Sequence, residues 1–126
     1  MHTIGAIHFD KVVLDCQEPK RLSDFYATLL GWHIGYVTED FIIIVSESCP
    51  VNIGFQRNEL YEPPVWPEET GSQQQMLHLD FGIEKEKLQE WIGYAISLGA
   101  KKADMQYGEW VVMLDPEGHP FCLDVT

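Results

Sequence analysis

The feature that most constrains the fold is an order of predicted elements that occurs twice along the 126 residues. The residue pattern of each half predicts one strand, one amphipathic helix and three further short strands. A repeated order predicts two βαβββ modules with pseudo-twofold symmetry. Each helix of so short a chain can bury its apolar stripe only against a sheet. We therefore predict an α+β fold in which a curved mixed sheet surrounds a cavity and the helices lie on its outer face.

The first module is predicted over residues 7–56, and its helix is its clearest element. Pro19 suits a first helical turn, apolar residues follow at helical spacing, and Gly31 can adopt the left-handed conformation that ends a helix. The strands are rich in β-branched residues and are separated by polar residues or proline. The predicted elements are a strand at 7–15, a helix at 19–30 and strands at 32–37, 41–46 and 51–56.

Residues 57–75 are predicted to form a connector, because their prolines, glutamates and glutamines follow neither a helical nor an alternating period. The second module is predicted over residues 76–126. Its first strand alternates, with Leu77, Leu79 and Phe81 on one face and His78 and Asp80 on the other. The predicted elements are a strand at 76–83, a helix at 84–98 and strands at 100–105, 109–114 and 120–125.

Length and charge restrict the classes of function. A chain of 126 residues leaves room for one domain over 1–126. The net charge of −12 would repel a phosphate backbone, so nucleic acid is not expected as a partner. No apolar run is long enough to span a membrane, and no secretory signal is recognised at the start, so a cytoplasmic protein with reduced cysteines is expected.

Three runs carry a resemblance to a known family, namely FDKVVLDCQEPKRLSDFYATLLGW, MLHLDFGIE and DPEGHPFCLDV. Together they resemble the glyoxalase/bleomycin-resistance/dioxygenase superfamily, also called vicinal oxygen chelate proteins, and within it the glyoxalase-like branch. The resemblance implies the fold predicted above and a small-molecule ligand in the sheet cavity, but it does not specify a reaction. It also implies a homodimer, and it leaves open whether the modules that make one cavity pair within one chain or across two. Trp66, a large apolar residue in the connector, is the candidate contact residue.

The resemblance further implies where a divalent metal would bind, because metal-dependent members of the family hold it on the first and last strands of the modules. Carried over residue by residue, these positions are Lys11, His78 and Cys122. Alternation predicts that all three face the cavity. Only His78 is a usual ligand, since a protonated lysine has no lone pair and Cys122 stands where a glutamate is expected. The metal triad is therefore predicted to be incomplete.

Other candidate ligand-contacting residues share the predicted cavity face or lie at its edge. They comprise two acidic residues, one amide and two aromatic residues that could stack on a planar ligand, namely Asp80, Asp124, Gln56, Trp110 and Phe41. Two roles are compatible with Lys11, namely contact with an anionic group of the ligand and an ion pair with Asp80 or Asp124. For His78, ligand contact and a hydrogen bond within the polar strand face are both open.

Three functions are compatible with these residues. The first is metal-independent binding of a small molecule, in particular a cationic or aromatic compound. The second is a lyase, isomerase or dioxygenase that uses a divalent metal at His78 and acts on a substrate with vicinal oxygens. The third is a non-catalytic interaction protein whose fold supports dimerisation.

Overall fold

The computed structural model describes residues 4–126, so the first three residues of the predicted domain lie outside the described part. Within that part, no helix has the length and apolar character needed to cross a bilayer. A 3₁₀ turn at Lys85–Lys87 precedes the second helix. The elements are β1 Lys11–Cys16, α1 Pro19–Leu30, β2 His33–Val37, β3 Phe41–Ser46, β4 Cys49–Arg57, β5 Leu79–Ile83, α2 Leu88–Ser97, β6 Lys101–Lys102, β7 Val111–Leu114 and β8 Pro120–Val125.

The strands form two four-stranded sheets with the same topology. The first sheet has the order β1-β4-β3-β2 and the second has the order β5-β8-β7-β6. In each sheet the first and last strands of the module pair in parallel, while the remaining neighbours are antiparallel. The predicted α+β fold of two βαβββ modules is confirmed.

Helix α1 has the predicted bounds, and local chemistry explains both of its ends. Pro19 occupies the first turn, where its missing N–H leaves no hydrogen bond unmade. At the other end Gly31 adopts a φ of 71°, and the backbone N–H groups of Gly31 and Trp32 both donate to the carbonyl of Ala27. The left-handed residue turns the chain directly into β2.

One apolar core contains side chains from both modules. Tyr26 of α1 lies at its centre, where its ring stacks on Phe55 of the first sheet at 5.8 Å. The same ring meets Phe121 of the second sheet edge-on, at 5.9 Å. Because aromatic contacts of this kind need close packing, the two modules of one chain are joined through their shared core.

Five strands are shorter than predicted; β2 and β7 begin only one and two residues late, whereas β1, β5 and β6 lose more. β1 begins at Lys11, whereas the prediction began it at residue 7. β5 begins at Leu79 because Met76 has a φ of 64° and the N–H of Leu77 donates to the carbonyl of Gln75 at 2.7 Å. This tight turn is incompatible with extended backbone.

The third strongly shortened strand is β6, which covers only Lys101–Lys102. After it, the Gln106 side chain makes the hydrogen bonds that a longer strand would have made. Its amide donates to the carbonyls of Ala103 and Val112 and accepts from the Val112 N–H, at 2.7 to 2.9 Å. Beyond one backbone bond, from the Ala103 N–H to the Val112 carbonyl at 3.0 Å, a side chain thus takes the place of strand pairing there, and hydrophobic periodicity gives no sign of it.

Candidate functional site

A cavity of about 660 Å³ lies on the face of the second sheet that points away from the core. Along β8, Phe121 and Leu123 enter the core while Cys122 and Asp124 line the cavity. Along β5, Phe81 packs against the core and Asp80 lines the cavity. The connector and the loop before β7 complete the wall. The alternation predicted for these strands therefore places their polar side chains in one concave site.

A polar cluster forms the floor of the cavity. The Nε2 atom of His78 lies 3.2 Å from Oδ1 of Asp80. Asp80 is the parallel-strand partner of Cys122. One ligand atom from each of His78, Asp80 and Cys122 lies within 4.8 Å of the others. A histidine that precedes β5 and two residues on neighbouring strands thus converge on one point.

The cluster is strongly biased against additional negative charge. Burial raises the pKa of the Cys122 thiol to about 12, and a hydrogen bond with Asp80 and the charges of Asp80 and Asp124 act in the same direction. Burial also raises the pKa of Asp124, reinforced by the neighbouring Asp80 carboxylate. Because these groups disfavour one another's charged forms, a positively charged group in the cavity would relieve their repulsion.

Aromatic side chains also line the cavity. The Trp66 ring meets Tyr107 edge-on at 5.8 Å, and its Nε1–H donates to the carbonyl of Met105 at 3.0 Å. Trp110 lines the same cavity and remains 44% exposed. A Cβ atom on Gly108 would lie 2.4 Å from the Trp110 ring, so a glycine is needed beside it. The connector residue Trp66 thus covers the cavity through contacts within its own chain.

The structure brings five of the eight predicted ligand-contacting residues into this cavity, namely His78, Asp80, Trp110, Cys122 and Asp124. Phe41 and Gln56 instead line a shallow depression on the first sheet, beside Asp40 and Arg57. Lys11 lies on β1 of the first sheet, and its ammonium pairs with Asp10 rather than with Asp80 or Asp124. The prediction that Lys11, Phe41 and Gln56 share the cavity with His78 is therefore wrong. Strand alternation tells which face of its own sheet a residue lies on, but the two modules form separate sheets.

Four further polar or aromatic lining residues were not predicted from the sequence. Glu68 and Gln75 belong to the connector, and Tyr107 and Glu109 belong to the loop before β7. Neither segment has a period from which the facing side can be predicted. The one available signal is the composition of residues 107–110, where two aromatic residues flank a glycine and an acid.

The positions implied by the resemblance do not form a complete metal site in this chain. Lys11 is not among the described residues that line the cavity, and its ammonium offers no lone pair. His78, Asp80 and Cys122 supply nitrogen, oxygen and sulfur donors, a set that suits zinc once the thiol is deprotonated. These three residues would hold such an ion.

Comparison with known proteins gives a consistent picture. A family model described as a glyoxalase-like domain matches residues 11–123. No curated protein matches the chain.

Several solved structures share the fold. One is a glyoxalase/bleomycin resistance protein/dioxygenase family enzyme from Burkholderia phytofirmans, with 21% identity and a TM-score of 0.70, covering 92% of this chain and 96% of that one. A glyoxalase-related enzyme from Fulvimarina pelagi has 10% identity and a TM-score of 0.71, covering 94% and 88%. The fosfomycin resistance protein FosX from Mesorhizobium loti has 10% identity and a TM-score of 0.62, covering 98% and 94%.

Proposed function

The chain belongs to the glyoxalase-like domain family, and from this premise we propose that it binds a small organic cation with an aromatic group in the cavity of the second sheet, without a metal. The observation that carries the proposal is the combination of carboxylates and aromatic rings around one concave site. The cavity of about 660 Å³ is within the range that accommodates drug-sized ligands.

Charge favours a cation. Four acidic residues line the cavity, namely Glu68, Asp80, Glu109 and Asp124, and its described lining contains no lysine or arginine. The net charge of −12 adds a long-range field of the same sign. A ligand ammonium would therefore be attracted to the site and would reduce the repulsion between Asp80 and Asp124.

The aromatic wall favours a ligand that also presents a planar or quaternary group. Trp66, Tyr107 and Trp110 line the cavity. Tryptophan faces attract cations and stack on aromatic rings. Together with the carboxylates these rings would select a cationic aromatic compound over a neutral or anionic one.

Sequestration is the activity that fits such a site best. Solved structures with this fold include a glyoxalase/bleomycin resistance protein from Albidiferax ferrireducens as well as the fosfomycin resistance protein. For this chain we propose binding without turnover, because its cavity supports recognition, while the positions that hold the metal in metal-dependent members carry Lys11 and Cys122.

Calorimetry with two matched probes tests this proposal. Procainamide carries an aromatic ring and an ammonium, whereas 4-amino-N-ethylbenzamide keeps the same aminobenzamide group and lacks the ammonium. We expect procainamide to bind about tenfold more tightly or better, the equivalent of one favourable desolvated ion contact. Trp110→Leu and Asp124→Asn should each weaken it, while Tyr94→Leu and Asp24→Asn on the helices should not. A thermal-shift screen in which no aromatic cation stabilises the protein would refute the proposal.

The cluster of His78, Asp80 and Cys122 supports a second candidate, a divalent-metal-dependent lyase, isomerase or dioxygenase. A bound metal would act as a Lewis acid on the oxygen atoms of a substrate. Metal analysis of protein purified without chelators separates the candidates. This second candidate requires a stoichiometric metal that is lost in His78→Gln, whereas the first predicts binding of procainamide that is unaffected by a chelator.

A further inference from the structure

Two cavities of this protein share one wall. The cavity described above adjoins a smaller one of about 310 Å³ that lies between the modules. Gln75, His78 and Pro120 line both of them. The smaller cavity is bounded by Asp15 of β1 on one side and by Tyr61 of the connector on another. Gln75 therefore borders both cavities.

Gln75 carries a polar atom without a partner. Its side-chain Oε1 atom is buried and makes no hydrogen bond, the one such side-chain atom among residues 4–126. Buried acceptors without a hydrogen bond are rare, because the missing bond costs stability. Because Gln75 lines both cavities, a turn of its side-chain amide about the terminal torsion would present this acceptor to a ligand donor in either of them.

The backbone next to Gln75 is held in an uncommon conformation. Met76 has a φ of 64°, and the N–H of Leu77 closes a three-residue turn onto the carbonyl of Gln75 at 2.7 Å. The Met76 side chain is 86% exposed, so packing of that side chain does not explain the turn. Strained residues of this kind concentrate at ligand-binding sites, where they fix a contacting side chain.

We propose that the two cavities form one two-lobed site in which Gln75 determines specificity by accepting a hydrogen bond from an N–H group of the ligand. This inference rests on the proposed function and refines it. The cationic group occupies the larger, acidic lobe. The N–H group lies at Gln75, and the planar group of the ligand enters the smaller lobe.

The smaller lobe suits a planar group with some polarity. Tyr61 lines it and stacks on His119 with ring centroids 5.0 Å apart. The Asn58 amide, which also lines it, donates to the Asp15 carboxylate at 3.1 Å. A ring with polar substituents would therefore find both an aromatic surface and hydrogen-bonding groups there.

Procainamide and procaine provide a direct test, because both carry an aromatic ring and a tertiary ammonium. Procainamide has an amide N–H where procaine has an ester oxygen. Calorimetric titration of the native protein should show about fivefold to tenfold tighter binding of procainamide, the ratio expected for one hydrogen bond to a buried acceptor. Gln75→Met should bind the two probes equally, whereas Gln89→Met, on the exposed face of α2, should keep the native ratio.

Stability without a probe gives an independent readout. Gln75→Met removes the unpartnered oxygen and keeps the side-chain length, so its thermal midpoint should rise, whereas that of Gln89→Met should not change. A falling midpoint for Gln75→Met would show that the oxygen has a structural partner and would overturn the inference.

The remaining outcomes separate this inference from the proposed function. If the native protein binds both probes with equal affinity, or if Gln75→Met retains the preference for procainamide, the specificity role of Gln75 is wrong while cation binding stands. If neither probe binds the native protein, the proposed function and the two-lobed site both fail.

Discussion

Tyr26 of the first module donates a hydrogen bond of 2.8 Å to the carboxylate of Asp115 in the second module. That carboxylate is fully buried and also accepts the backbone N–H groups of Glu117 and His119, at 2.8 and 3.0 Å. Burial and the Asp115 carboxylate both raise the pKa of Tyr26 well above its usual value. The turn before β8 is therefore organised around one carboxylate that α1 helps to satisfy.

Tyr26→Phe is expected to destabilise the protein by about 1.5–3 kcal/mol, since it removes a hydrogen bond to a buried charged acceptor while preserving the ring. Urea unfolding measures the change. Tyr36→Phe is the matched control because Tyr36 is 53% exposed on the edge strand β2. Equal effects of the two substitutions would contradict a special role for the contact between Tyr26 and Asp115.

Stability should depend on pH through His119. Burial opposes the charge of His119, but a hydrogen bond with Asp115 and the charge of that carboxylate raise the pKa of His119 above 6.5. A raised folded-state pKa means that the folded state binds the proton more tightly than the unfolded chain does. The stabilisation is thus complete below the unfolded value and is lost as pH rises through the folded value.

The urea midpoint is therefore expected to fall as pH increases above about 6.5. His119→Gln should flatten this part of the profile, whereas His33→Gln on exposed β2 should leave it unchanged. A urea midpoint of the native protein that rises through neutral pH would show that another titratable group dominates the pH dependence of stability.

Cys122 should resist thiol reagents in the folded protein. Its pKa of about 12 leaves very little reactive thiolate near neutral pH. Burial also raises the pKa of Cys16 to about 12, so Cys16 should be equally unreactive. Cys49, which is partly exposed at the start of β4, should react first with N-ethylmaleimide. Mass spectrometry of digested protein locates the label, and rapid modification of Cys122 without unfolding would contradict its burial.

The homodimer expected from the sequence stays a prediction. Strand β2 lies at an edge of the first sheet, and its Ile34, Tyr36 and Val37 side chains are 43, 53 and 62% exposed. An apolar edge strand favours pairing with another chain. Light scattering should give twice the 14.5 kDa mass of one chain, and Val37→Lys should reduce it. A single monomeric mass would exclude the dimer, and a dimer unaffected by Trp66→Ala would exclude Trp66 as a contact.

Sequence periodicity was enough to predict elements whose stability is local or whose faces differ strongly. Helix α1 has the predicted bounds because Pro19 and Gly31 fix its ends through their own backbone preferences. The alternation of β8 correctly assigned Phe121 to the core and Cys122 to the opposite face, because the two faces of that strand meet different environments.

The sequence by itself determined the two βαβββ modules and the residues that face away from the core, since both follow from local periodicity. Only the tertiary structure decided which of those residues meet. Lys11 and His78 lie on different modules, and their separation depends on how two sheets pack through Tyr26. The place of Gln75 likewise depends on a turn in a connector without periodicity. Contacts between segments distant in sequence are set by the packing of the whole chain, which no local pattern encodes.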